Sequence, residues 1–246
     1  MTSDRSSNRI DQLIIDPRYN GPKTSGNGGW VAGSLARLLG AGSVSVSLRA
    51  PAPLALPLSV RRRDDGTITL ENDGTLIAEA GLAPLELDVP KAPDPSEAEA
   101  AGALALKVSA QRPNVPYAHC FGCGFARADG LRIVPGPVGS DGIVAANWTA
   151  PLLPNAGEQL SVEATWVALD CSAGFAWMNR LAAGTAIITA RMTALIDQPL
   201  LVGQRYTVIG WPIAQEGRKL HAGTAIFDAA GKVQASSRQL WLVLRD

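Results

Sequence analysis

The sequence predicts an α+β chain in which one plan, a helix followed by an antiparallel meander, is used twice. Three observations predict it. Apolar residues recur at helical spacing at Val31, Leu35, Leu38 and Leu39, then alternate with polar ones from Val44 onward. A long apolar segment, Leu160 to Leu181, opens the same succession again. The order of helix, strand, proline-marked bend and meander is common to both halves. Composition allows this: 46% of the 246 residues are apolar and 18% charged, so a large core can form and wholesale disorder is excluded. Lys plus Arg and Asp plus Glu number 22 each. That balance removes the electrostatic footprint of a general nucleic-acid or membrane-surface binder.

The elements follow in chain order. Residues 1–18 are polar and expected to be disordered; no apolar run of a secretory signal follows them, so a cytoplasmic location is expected. No stretch reaches the ~18 consecutive apolar residues of a membrane helix. A glycine-dense run, Gly21 to Gly29, opens onto a helix over 29–39. Val44, Val46 and Leu48 then alternate with Ser45, Ser47 and Arg49, a strand with one polar face. Further strands are expected around 55–63, 66–71 and 75–88, with Asp65-Gly66 and Asp73-Gly74 as turns. The first unit is therefore 19–90. Residues 91–115, where prolines surround a short Ala- and Glu-rich piece, read as a linker. The second unit, 116–246, holds the helix at about 160–181 and strands near 185–196, 202–213, 217–228 and 232–245.

Residue by residue the halves align weakly. With an offset of 142, Leu48-Arg49 falls on Ala190-Arg191 and Pro57-Leu58 on Pro199-Leu200. With an offset of 157, Asp73 to Ala78 falls on Ala230 to Ala235. The difference of 15 residues predicts longer strands in the second copy. The two sheets are expected to join edge to edge.

Asp170 is the first candidate for chemistry. Its neighbours are apolar around the whole helix, and a carboxylate buried there needs a structural or chemical reason. It either acts on a substrate or braces the partner half. Glu163 lies two turns earlier on the same face. It either shares acid and base roles with Asp170 or is a first-turn glutamate favoured by the helix dipole. Gly28 and Gly29 offer unhindered N–H groups at a helix start, suited to an oxyanion or a phosphate, or else permit close packing. Arg218-Lys219 and Arg61-Arg62-Arg63 suit phosphates, or are solvated strand edges. Of the three cysteines, Cys120 and Cys123 form one C-x-x-C beside His119, without a second ligand pair at finger spacing. Reduced thiols and no metal are expected. The dinucleotide fingerprint and the Walker A motif are absent.

The residues also resemble a known superfamily. Asn27-Gly28-Gly29-Trp30-Val31-Ala32-Gly33 is similar to the helix start of double-hotdog acyl-CoA thioesterase-like proteins. His119-Cys120-Phe121-Gly122-Cys123-Gly124 with Asp129-Gly130-Leu131-Arg132 resembles the entry to the second unit, and Trp166 to Gly174 resembles the central helix. The resemblance implies a duplicated (double) hotdog, each antiparallel sheet wrapping one long buried helix. It also implies hydrolysis of an acyl-CoA or acyl-carrier thioester, or acyl binding without hydrolysis; a hydratase ranks last. Asp170 stands where single-hotdog thioesterases carry a nucleophile or general base. Gln239 matches a glutamine on the last strand of the double-hotdog enzymes, but their strand aspartate falls at Arg191 or nearby. The expected binding residues are Asn27, Gly28, Gly29, Arg218 and Lys219. The expected catalytic residues are Asp170, Glu163 and Gln239. Coenzyme A enters only as part of the substrate, the partner is a small acyl thioester, and the assembly is a monomer or homodimer.

Overall fold

A computed structural model describes residues 9–40, 42–112, 115, 117–154, 157–182 and 184–244. Strand β1 (Arg9–Ile14) leads to helix α1 (Gly28–Leu39), after which β2 (Val44–Leu48), β3 (Pro57–Arg62), β4 (Ile68–Asn72) and β5 (Thr75–Leu82) form a meander. Helix α2 (Pro95–Gln111) and strands β6 (Gly136–Val138) and β7 (Ile143–Thr149) follow. The chain closes with α3 (Val162–Met178), β8 (Ile187–Ile196), β9 (Arg205–Glu216), β10 (Lys219–Phe227) and β11 (Val233–Val243). The architecture is α+β.

Among the described residues all eleven strands belong to one sheet, in the order β1-β3-β4-β5-β2-β8-β11-β10-β9-β7-β6. Every pairing is antiparallel. At the centre β2 pairs β8, with Ser45 opposite Thr193 and Ser47 opposite Arg191. Their hydroxyls and guanidinium bridge the seam, Thr193 Oγ1 to Ser45 Oγ at 3.0 Å and Arg191 Nε to Ser47 Oγ at 3.1 Å. Counting outward from this seam, each side runs first, fourth, third and second strand after its helix, then the strand before the helix. The four strands after the helix are longer on the second side, 9–12 residues against 5–8.

Each long helix begins where the sequence supplies a cap. Asn27 Oδ1 accepts the Trp30 N–H at α1, and Ser161 Oγ accepts the Ala164 N–H at α3. Helix α1 ends at Gly40, whose φ of 88° is a conformation that suits glycine. Its inner face (Val31, Ala32, Leu35, Ala36) packs on the first half of the sheet, while α3 is buried from Glu163 to Trp177. The helices run antiparallel and touch backbone to backbone. A Cβ on Gly29 would lie 2.7 Å from the Trp166 carbonyl oxygen and from Val167 Cα; one on Gly33 would lie 2.6 Å from Glu163 Cα.

Two segments differ from the sequence expectation. Arg9–Ile14 is a strand paired with β3, within the stretch expected to be disordered to residue 18; residues 1–8 lie outside the described residues. The segment 91–115, read as a linker, holds the 17-residue α2. Its prolines do not interrupt a helix: Pro95 starts it, in the first turn where a missing N–H costs nothing, behind the cap Asp94. Only Ala98 and Ser109 of α2 are buried, so its sequence carries little periodic signal. It lies on β6 and β7, with Gly136 against the Ala101 carbonyl. The short β6 and β7 are further strands beyond those expected.

Candidate active site

Between the start of α1, the middle of α3 and the edge of β8 lies a cavity of about 400 Å³. Asp170, only 3% exposed, stands in its wall. Two donors hold its carboxylate: Gly29 N–H reaches Oδ2 at 3.0 Å, and the Thr189 hydroxyl reaches Oδ1 at 2.8 Å. Burial pushes the carboxyl up to about 7, opposed by these two hydrogen bonds and assisted by the neighbouring Cys120. A helix start leaves its first N–H groups without intrahelical acceptors. At α1 the Trp30 N–H goes to Asn27 and the Gly29 N–H to Asp170, leaving that of Gly28, which lines the cavity. A Cβ on Gly28 would sit 3.3 Å from Asp170 Oδ2, so backbone and carboxylate are neighbours. Phe175, Met178, Ile187 and Trp241 make much of the remaining wall apolar.

The loop carrying His119 to Gly124 is fastened over the α1 start. Phe121 N–H donates to the Asn20 carbonyl at 2.8 Å, and the Phe121 ring meets the stacked pair Tyr19–Trp30 edge-on. This places Cys120 and Cys123 at the cavity, and Cys171 comes to them from α3. The three sulfurs lie within 4.8 Å of one another, with Cys120 Sγ 4.0 Å from Cys171 Sγ. Thiol hydrogen bonds from Cys123 and Cys171 hold the Cys120 thiol well below its usual range, while the same contacts with Cys120 and burial push Cys123 and Cys171 up.

No protein-family model matches the sequence, and no curated protein sequence does. Solved structures do. A candidate thioesterase II from Thermobifida fusca superposes with a TM-score of 0.62 at 16% identity, over 95% of this chain and 92% of its own. A candidate thioesterase from Novosphingobium aromaticivorans gives 0.61 at 14%, over 96% and 95%. A conserved protein of unknown function with hot dog fold, from Alicyclobacillus acidocaldarius, gives 0.56 at 12%, over 98% and 95%. The chain has the hot dog fold.

On this hot dog frame the residues singled out from the sequence fall into four places. Asn27, Gly28 and Asp170 line one cavity, and Gly29 is bonded to Asp170 through its backbone. Glu163 stands on the other side of the helix crossing, with Arg37 Nε at 2.6 Å from its carboxylate. The two carboxylates therefore do not share a site. Gln239 is buried behind α3, donating to the Leu169 carbonyl at 2.8 Å and accepting from the cavity-lining Trp241. Arg218 and Lys219 are exposed at the β9–β10 turn, and the cationic side chain at the cavity is instead Arg49, which is paired with Glu79.

Two contributors were not legible as site residues. Thr189 stands two positions before Arg191, on the strand where the double-hotdog enzymes carry their aspartate, and its hydroxyl, not an acid, faces Asp170. Cys171 was visible beside Asp170, but only the fold brings it to the C-x-x-C pair. His119 is exposed and holds the loop through its backbone carbonyl. None of the described helices is long and apolar enough to cross a membrane.

Proposed function

We propose that the protein hydrolyses an acyl-CoA or acyl-carrier thioester, and that its chain is an internal duplication of one hot dog unit. The matching strand order on the two sides of the β2–β8 seam supports the duplication. The hydrolase reading rests on one observation: the buried Asp170 carboxylate, fixed by Gly29 and Thr189 in a cavity wall beside the start of α1. The likeness to the two candidate thioesterases supports it.

The chemistry follows from that placement. The acyl chain occupies the apolar part of the cavity. The thioester carbonyl oxygen takes the Gly28 N–H at the positive end of α1, where developing negative charge is favoured. Asp170 accepts a proton from water as the water oxygen bonds to the carbonyl carbon. The tetrahedral oxyanion then collapses, the C–S bond breaks, and Asp170 returns the proton to the departing sulfur. The products are a carboxylic acid and a thiol. One chain supplies both helices of this site, consistent with a monomer or a homodimer.

A second reading has its own observation. Both Asp170 oxygens are already engaged, which is how a brace between α1 and β8 would be built; the protein would then bind acyl groups without cleaving them. One experiment separates the two. Thiol release is followed across an acyl-CoA panel for wild type and Asp170→Asn. Loss of ~100-fold or more in turnover, with acyl-CoA binding unchanged, is expected for the general base. Binding without thiol release by wild type across the panel would establish the second reading.

A further inference from the structure

We infer that Cys120, Cys123 and Cys171 form a three-thiolate zinc site whose fourth position opens on the cavity. The sulfurs are already grouped as a metal would need them. With Zn–S bonds of ~2.3 Å, the edge of a sulfur tetrahedron is roughly 3.8 Å; Cys120 and Cys171 are 4.0 Å apart, and all three sulfurs fall within 4.8 Å. The ligands come from two rigid supports. Cys171 sits in the middle of the buried α3, and the other two sit on a tight loop in which Gly124 N–H donates to the Cys120 carbonyl at 2.8 Å.

The loop is shaped for close approach to α3. A Cβ on Gly122 would lie 2.9 Å from Cys171 Sγ, and one on Gly124 would run into the Cys120 carbonyl. A side-chain amide donor also meets a sulfur. Asn27 Nδ2 lies 3.5 Å from Cys120 Sγ. Such N–H contacts to a metal-bound thiolate orient it and offset its charge. Three sulfur ligands select a thiophilic cation over magnesium or calcium. Each thiol gives up its proton to solvent as its sulfur bonds to the ion. The fourth ligand is a cavity water or a group of the bound molecule, since all three cysteines line the cavity. The site ties the loop to α3 and so fixes the wall beside Asp170. It also revises the expectation from the sequence, where a lone C-x-x-C predicted no metal.

The test needs no substrate and is therefore independent of the hydrolase reading. The reduced full-length protein, stripped with a chelator, is titrated with Zn²⁺ and separately with Co²⁺. Expected are about one equivalent of zinc retained through dialysis, a raised Tm, and with cobalt a sulfur-to-metal charge-transfer band with the visible bands of a tetrahedral site. Cys171→Ser is expected to weaken zinc binding by ~100-fold or more, while His119→Ala leaves it unchanged. If Cys171→Ser does not fold, the cobalt spectrum of wild type decides alone. Wild type that retains no zinc and shows no charge-transfer band, or a folded Cys171→Ser that binds as tightly as wild type, overturns the inference.

Discussion

Gly33→Ala tests whether the close helix crossing organises the molecule. In α1 the added methyl would sit 2.6 Å from Glu163 Cα and 3.0 Å from Trp166 Cβ. Carbon atoms rest at ~3.5–4.0 Å, so the helices must part by roughly 1 Å or the chain must bend. The near atom is backbone, and no rotamer change relieves it. Overpacking of this kind costs ~1–3 kcal/mol. Alanine offsets about 1 kcal/mol of that through its better helix propensity. Because backbone blocks relaxation, the upper part of the range applies, and a net loss of about 1–2 kcal/mol is expected. At ~2–4 °C per kcal/mol for a chain of this size, Tm should fall by roughly 2–8 °C in a calorimetric scan. Gly33→Val should fall further. A Gly33→Ala protein melting at or above wild type would refute the reasoning, since propensity alone would then have won.

Two substitutions separate the roles of the polar groups around α3. Glu163→Gln should leave thiol release unchanged, because that carboxylate is tied to Arg37 across the crossing from the cavity; a loss comparable to that of Asp170→Asn would show that the acids act together. Thr189→Val removes the hydroxyl donor to Asp170 and should lower stability by about 1–3 kcal/mol in urea unfolding, whereas an unchanged midpoint would show that the bond contributes nothing.

The main helices were legible because their signals are local. Helix α1 shows in the spacing of Val31, Leu35, Leu38 and Leu39 and in the change of period at Val44, and α3 in the long apolar segment Leu160 to Leu181. Helix α2 was not, since it covers small residues of β6 and β7 with alanines and one glycine, which leave no amphipathic stripe. Asp170 was legible as a charge in an apolar helix. Its partners were not. Gly29 reaches it across 141 positions and Thr189 from the next strand, and neither residue type signals a carboxylate by itself. Glu163 shows the converse: two turns of helix put it on the face of Asp170, but the crossing of α1 lies between them, and Arg37 takes the nearer acid.

That crossing also explains why equal strand orders do not make equal sites. Counted from the caps Asn27 and Ser161, the second helical residues are Gly29 and Glu163, and the ninth are Ala36 and Asp170. Antiparallel packing sets the second residue of one helix toward the ninth of the other. At one corner this gives Gly29 against Asp170, a bare backbone N–H facing a carboxylate. At the other it would give Glu163 against Ala36, and no acid stands opposite the α3 start. Glu163 turns to Arg37 instead, and the smaller cavity there, about 270 Å³, is walled by Ala36, Arg37, Val162 and Trp166. Glycine at the second position is therefore what admits the partner's acid: a side chain there would collide with Trp166 and Val167 before any carboxylate could be bonded. On the hydrolase reading, the chain uses two similar halves to build one reaction centre, with the carbonyl-facing backbone from the first half and the base from the second.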